Sequence, residues 1–152
     1  MHRKSLAAAL AALSLTFALT ASTALAARPV FVFTTQLTGE AERPALGDLD
    51  AHGSATVAVF PDTDTVCWVV TWNHVDGTVF ASHIHGPVGT DVAGPVLIPL
   101  FMGEAFGANG MHRGCASAAG WSDDIVASPE LFYVNVHSLP NFGPGAIRGQ
   151  LG

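Results

Sequence analysis

Residues 52–72 constrain the fold of this chain more than any other stretch. In His52–Phe60, Ala55, Val57 and Val59 alternate with Ser54, Thr56 and Ala58. In Thr65–Trp72, Val66, Trp68, Val70 and Trp72 fall on every second position. A period of two belongs to strands, because successive side chains leave a strand on opposite faces. The intervening Pro61-Asp62-Thr63-Asp64 is rich in turn formers. Two alternating runs around a tight turn predict a β-hairpin whose apolar face, with two tryptophans, belongs to a core.

The rest of the chain follows the same grammar. Pro29–Leu37 reads as a strand with Phe31, Phe33 and Leu37 on one face beside Thr35, and Gly39–Asp50 as a polar loop. Thr78–His85 is a fourth strand, ended by Gly86-Pro87, and Val96–Phe101 a buried fifth. Residues 102–121 are rich in Gly and Ala with no clear period, which predicts a long loop carrying Cys115. Ser122-Asp123-Asp124 can cap a short helix running to about Glu130. Leu131–His137 is a strand, Ser138–Gly145 a turn, and Ala146–Leu151 the closing strand. Short β-branched runs between turn residues, without a long amphipathic helix, predict an all-β sandwich or barrel.

The first 26 residues read as an address. His2, Arg3 and Lys4 form a basic start, Leu6 to about Leu19 an apolar run, and Ala24-Leu25-Ala26 a small-x-small cleavage site. This is the pattern of a secretory signal peptide, cleaved after Ala26. A retained membrane anchor is the rival, but the apolar run is short for a bilayer span. The expected product, residues 27–152, suits one domain and keeps four arginines, no lysine and twelve acids, a formal charge of −8. That balance argues against nucleic acid or an anionic membrane as partner. Cys67 and Cys115, an even pair in an exported chain, read first as a disulfide. Closing about 50 residues is worth roughly 3–4.5 kcal/mol in chain entropy. The alternative, two thiolate ligands, lacks a neighbouring cysteine at metal-ligand spacing.

Chemistry concentrates in the histidines. In Ser82-His83-Ile84-His85-Gly86-Pro87, a strand would project His83 and His85 to one side, with Cα atoms about 6–7 Å apart. Two neutral imidazoles on one face are half of a first-row metal site. In Tyr133-Val134-Asn135-Val136-His137, the valines share one face and Tyr133, Asn135 and His137 the other. With Ile84, Val134 and Val136 in the core, all three imidazoles point away from it, toward a loop-covered outer face of the sheet. A β-bulge would break that parity. Imidazoles also serve structural roles by satisfying loop backbone. His52 has the parity of Ser54 and Thr56 and is a candidate fourth ligand. His74 and His112 read as plain surface or loop residues, and Met102 and Met111 as packing rather than Cu(I) ligands. Asn135, one pleat from His137, is placed to orient a ligand.

Four blocks make the chain resemble the CHRD domain family, named for the repeated domain of chordin. They are Leu37-Thr38-Gly39-Glu40-Ala41-Glu42-Arg43-Pro44, Gly53-Ser54-Ala55 with the alternating valines after it, the His83/His85 block, and Tyr133–His137 with Ile147-Arg148-Gly149-Gln150-Leu151. Ala146 departs from the pattern, which usually carries Glu there. The resemblance implies an extracellular, immunoglobulin-like β module. Glu42 and Arg148 both lie in matched blocks, which suggests a bidentate pair tying the first loop to the last strand. The chain is also similar to copper-zinc superoxide dismutases, Greek-key sandwiches with a His-x-His strand, a later Val-x-His strand and a disulfide. Carried over by residue, that likeness makes His83, His85 and His137 copper ligands. A second, zinc position finds only Asp91, Glu104 and His112 in the loop 86–121, so a dinuclear site is not expected.

The sequence thus predicts a Greek-key, immunoglobulin-like or superoxide dismutase-like β-sandwich with one disulfide, exported to periplasm or medium. It predicts a three-histidine surface site for a single ion, copper favoured over zinc by the affinity order for nitrogen ligands, serving storage, delivery or sequestration. The alternatives are a metal-free module that holds an extracellular protein and, third, a dismutase-like redox enzyme. No phosphate loop or serine nucleophile elbow is present.

Overall fold

The hairpin predicted from alternation is where the fold begins. A computed structural model describes residues 28–152, so the proposed signal segment lies outside the described residues. The strands are β1 (Phe31–Thr38), β2 (His52–Phe60), β3 (Thr65–Asn73), β4 (Thr78–His85), β5 (Val96–Phe106), β6 (Gly110–Ser117), β7 (Tyr133–Leu139) and β8 (Phe142–Gln150). One short helix, α1 (Ser122–Ala127), links β6 to β7. In β2 and β3, Ala55, Val57, Val59, Val66, Val70 and Trp72 are all fully buried, as their spacing requires.

All ladders are antiparallel, in the order β5-β4-β7-β8-β1-β2-β3-β6. One join is weak: β1 and β8 share a single registered pair, Thr38 with Arg148. The sheet folds over at that join into two leaves, β5-β4-β7-β8 and β1-β2-β3-β6. Between them lies one core, with Val57, Val66, Val70 and Trp72 from one leaf against Ile84, Ile98, Val134, Val136 and Ile147 from the other. Each such side chain removed from water contributes roughly 1.5–3 kcal/mol before the entropy of ordering is counted. At the open side the end strands β5 and β6 touch through side chains, with the Phe101 ring 4.7 Å from that of His112. The architecture is a sandwich with barrel-like closure.

Where a long loop was expected, the chain instead extends β5 to Phe106 and forms β6. The inward positions of β6 are Gly110, His112, Gly114 and Ala116, which carry no apolar stripe to read. The reason sits on β3. Trp72 and Trp68 lie directly opposite Gly110 and Gly114 and fill the space themselves. A Cβ on Gly110 would meet Trp72 Cζ2 at 2.5 Å, and one on Gly114 would meet Trp68 Cζ2 at 2.8 Å. His112 between them accepts the Trp68 Nε1 proton at 3.1 Å.

Smaller differences follow from pairing. The fifth strand is an edge, so Val96 is half exposed rather than buried. The helix stops at Ala127 and a 3-10 turn follows at Pro129–Leu131, and β8 begins at Phe142 rather than Ala146. Cys67 and Cys115 are bonded across the β3–β6 register, 48 residues apart. The bridge ties the unexpected strand to the hairpin and, by loop closure, removes about 4 kcal/mol of unfolded-chain entropy. Among the described residues no helix is long and apolar enough to cross a membrane.

The tryptophan-over-glycine packing makes a prediction. Gly110→Ala should lose about 1–3 kcal/mol in urea unfolding, the usual cost of overpacking. Gly107→Ala, where no atom lies within 4 Å of the added carbon, should be close to neutral.

Candidate metal centre

The β4–β7 ladder sets Ala81 against His137, His83 against Asn135 and His85 against Tyr133. His83 and His85 on β4 therefore share a face with Asn135 and His137 on β7. Ile84, Val134 and Val136 occupy the other face and are fully buried in the core. The irregularities of β4 between residues 81 and 85 fall on its β5 side, while its pairing with β7 over those residues is regular. The parity argument survives for that reason. Among the described residues, His83, His85 and His137 form the one group of three His, Cys, Asp or Glu side chains placed to hold a metal, with ligand atoms within 4.8 Å of one another.

The expected surface site is in fact covered. His83, His85 and His137 are 7%, 6% and 6% exposed. The segment 86–95 forms the cover and Arg148 fastens it. The Arg148 guanidinium lies 3.5 Å from the centre of the Tyr133 ring and donates to the Val92 carbonyl at 2.9 Å and the Gly89 carbonyl at 3.2 Å. Gln150 Nε2 donates to the Val88 carbonyl at 3.0 Å. Tyr133 in turn stacks on His85, ring centres 4.7 Å apart and planes 7° from parallel. At the hinge of this segment Gly86 has φ +146°, and a Cβ there would sit 2.7 Å from the Leu131 carbonyl oxygen.

The same geometry corrects the expected Glu42–Arg148 pair. The Arg148 fork is taken by the covering segment and Gln150, and no ion pair joins it to Glu42. Glu42 is 3% exposed and its Oε1 has no hydrogen-bond partner. Gly145 makes room for it, since a Cβ at 145 would lie 2.4 Å from the carboxyl. Burial pushes the Glu42 pKa up to about 7, opposed by the Arg148 charge, the Arg43 backbone and the Asn135 side chain.

Hydrogen bonds fix which ring atoms face inward. His85 Nδ1 donates to the Gly94 carbonyl and His137 Nδ1 to the Gly143 carbonyl, each at 2.9 Å. A carbonyl only accepts, so both Nδ1 atoms carry protons and both Nε2 atoms of the neutral rings carry lone pairs. His85 Nε2 is buried without a partner. His137 Nε2 lies 3.0 Å from His83 Nδ1 and 2.9 Å from Asn135 Oδ1. All three rings are kept neutral. Burial, with the neighbouring imidazoles, lowers His83 to about 4, and burial lowers His85 and His137 against the pull of their carbonyl partners. The result is a buried cluster whose inward-facing atoms include more lone pairs than protons. Carbonyl-oriented neutral imidazoles are the usual first and outer shells of a metal site.

Other candidates stand elsewhere. His52 is exposed on β2 with its ring 5.5 Å from that of His74, so it is no fourth ligand to this cluster. The imidazole of His112 is committed to Trp68, with Glu104 at 3.7 Å, and Asp91 faces Arg43 at 3.7 Å, so the three do not converge. Met102 and Met111 are 62% and 54% exposed on strands rather than packed in loops. Ala146 is fully buried in the core. Sequence reasoning missed the ring-orienting carbonyls of Gly94 and Gly143, which carry no side-chain signal. Tyr133 was marked by sharing the parity of Asn135 and His137.

Compared with known families, residues 33–151 match the CHRD domain. No curated protein and no solved structure matches the chain.

The buried Glu42 carboxyl gives a pH test. Its folded pKa lies above the unfolded value, so it favours the fold at low pH and loses that contribution as pH rises through about 7. Glu42→Gln should therefore gain on the wild type between pH 5 and pH 8, by on the order of 2 kcal/mol, read from urea unfolding of the metal-free protein at the two pH values.

Proposed function

The chain belongs to the CHRD domain family, and we propose that it is an exported β-sandwich module that holds one metal ion through His83, His85 Nε2 and His137 Nε2. The observation that carries this reading is the surplus of lone pairs among three buried, neutral imidazoles, with His85 Nε2 left without any partner. A buried acceptor without a donor costs free energy, and a cation bound against it removes that cost. Imidazole donors suit copper and zinc, and the affinity order puts copper first.

Burial favours retention of the ion, which fits storage, sequestration or handover to a partner. The covered site admits an ion more readily than a bulky substrate. We read the strand connections as Greek-key, in keeping with the likeness to copper-zinc superoxide dismutases. Export, to periplasm or medium, fits the disulfide and the apolar leader with its small-x-small site. The acidic, lysine-poor composition supports a cation rather than nucleic acid as partner.

The test is titration of the metal-free protein with Cu(I), Cu(II) and Zn(II), followed by calorimetry or chelator competition. The wild type should take one equivalent of copper, bound more tightly than zinc. The variant with His83, His85 and His137 all replaced by alanine should bind neither. Failure of the wild type to bind any of the three ions would overturn the proposal in favour of a metal-free interaction module.

A further inference from the structure

The cluster has a fourth member that is not a histidine. In the β4–β7 ladder Asn135 pairs with His83, while His137 lies two residues along β7 and His85 two residues along β4. Asn135 is thus the middle position of the patch, 1% exposed, and its short side chain ends among the rings. Its Oδ1 lies 2.9 Å from His137 Nε2.

That contact is unfavourable as it stands. The His137 proton is on Nδ1, committed to the Gly143 carbonyl, so Nε2 and Oδ1 meet as two acceptors. The proton of His83 Nδ1 can serve only one of them. His85 Nε2, the third acceptor, has none. Three lone pairs converge with one proton between them.

We propose that Asn135 Oδ1 is the fourth ligand, completing a three-imidazole, one-amide-oxygen site. This rests on the metal-binding reading above and extends it to selectivity. An oxygen donor adds more to the harder divalent ions than to Cu(I), which three imidazoles satisfy. The site is then tuned toward Cu(II) and Zn(II).

The experiment compares wild type, Asn135→Leu and Asn135→Asp, each prepared metal-free and titrated with Zn(II), Cu(II) and Cu(I), with Cu(II) electron paramagnetic resonance as a second readout. Asn135→Leu keeps the side chain's bulk and removes the oxygen. It should weaken Zn(II) and Cu(II) about 10–100-fold, the range seen when the shell around a metal is disturbed, leave Cu(I) within a few-fold, and change the Cu(II) spectrum. Asn135→Asp should tighten both divalent ions. Equal divalent affinities and an unchanged spectrum in Asn135→Leu would overturn the fourth ligand while leaving the three-histidine site intact. So would an Asn135→Asp protein with wild-type divalent affinities, which keeps the test open should the leucine variant fail to fold. A wild type that binds no ion would instead overturn the metal reading itself, and the fourth ligand with it.

Discussion

The antiparallel register of β4 against β7 is the constraint on which everything else depends. It is one ladder with two faces. Ile84, Val134 and Val136 pack the core from one side, and His83, His85, Asn135 and His137 crowd the other. A slip of one residue would exchange the two sets, putting imidazoles into the apolar interior and valines under the covering segment. The apolar residues therefore do more than stabilise. Their burial, worth a few kcal/mol per side chain, holds the polar cluster in register.

What the ladder assembles, the cover makes chemically distinct. Arg148 is nearly fully buried, yet its charge is spent on carbonyls of segment 86–95 and on the face of Tyr133 rather than on a carboxylate. That choice closes the segment over the sheet and keeps water from the rings. Desolvation then keeps the imidazoles uncharged, and the Gly94 and Gly143 carbonyls select the tautomer that turns each Nε2 inward. An exposed cluster of the same three residues would share protons with solvent and carry no surplus of lone pairs. Burial, more than proximity, is what separates this arrangement from three histidines that happen to be neighbours.

Much of this was legible in the sequence, and the exceptions share a cause. Alternation located the β2–β3 hairpin and β4 because their side chains supply their own apolar face, and parity placed His83, His85 and His137 together because the β4–β7 ladder stays regular where it matters. β6 was invisible because Trp68 and Trp72 of another strand supply its apolar face, leaving Gly110 and Gly114 where a pattern would be sought. The Glu42–Arg148 pair failed similarly. Both residues are buried close to the site, as their shared blocks suggested, but the partner of Arg148 is a run of backbone carbonyls, and backbone has no letter in the sequence. His52 has the alternation of a ligand and lies on the wrong leaf, a fact that only the fold over the single Thr38–Arg148 pairing decides.

The two leaves divide the work. The β1-β2-β3-β6 leaf carries the disulfide and the tryptophans, and its ladders run long and regular. The β5-β4-β7-β8 leaf carries the bulges, the buried Glu42 contact and the unpartnered His85 nitrogen, all of which cost stability. A polar cluster left with unmet acceptors persists only where the surrounding fold has stability to spare. The cross-link on the first leaf sits far from the imidazoles in function, yet it contributes on the order of the cost of one or two such unsatisfied groups. The second leaf can therefore keep its lone pairs aimed inward, because the opposite leaf holds the sandwich closed around it.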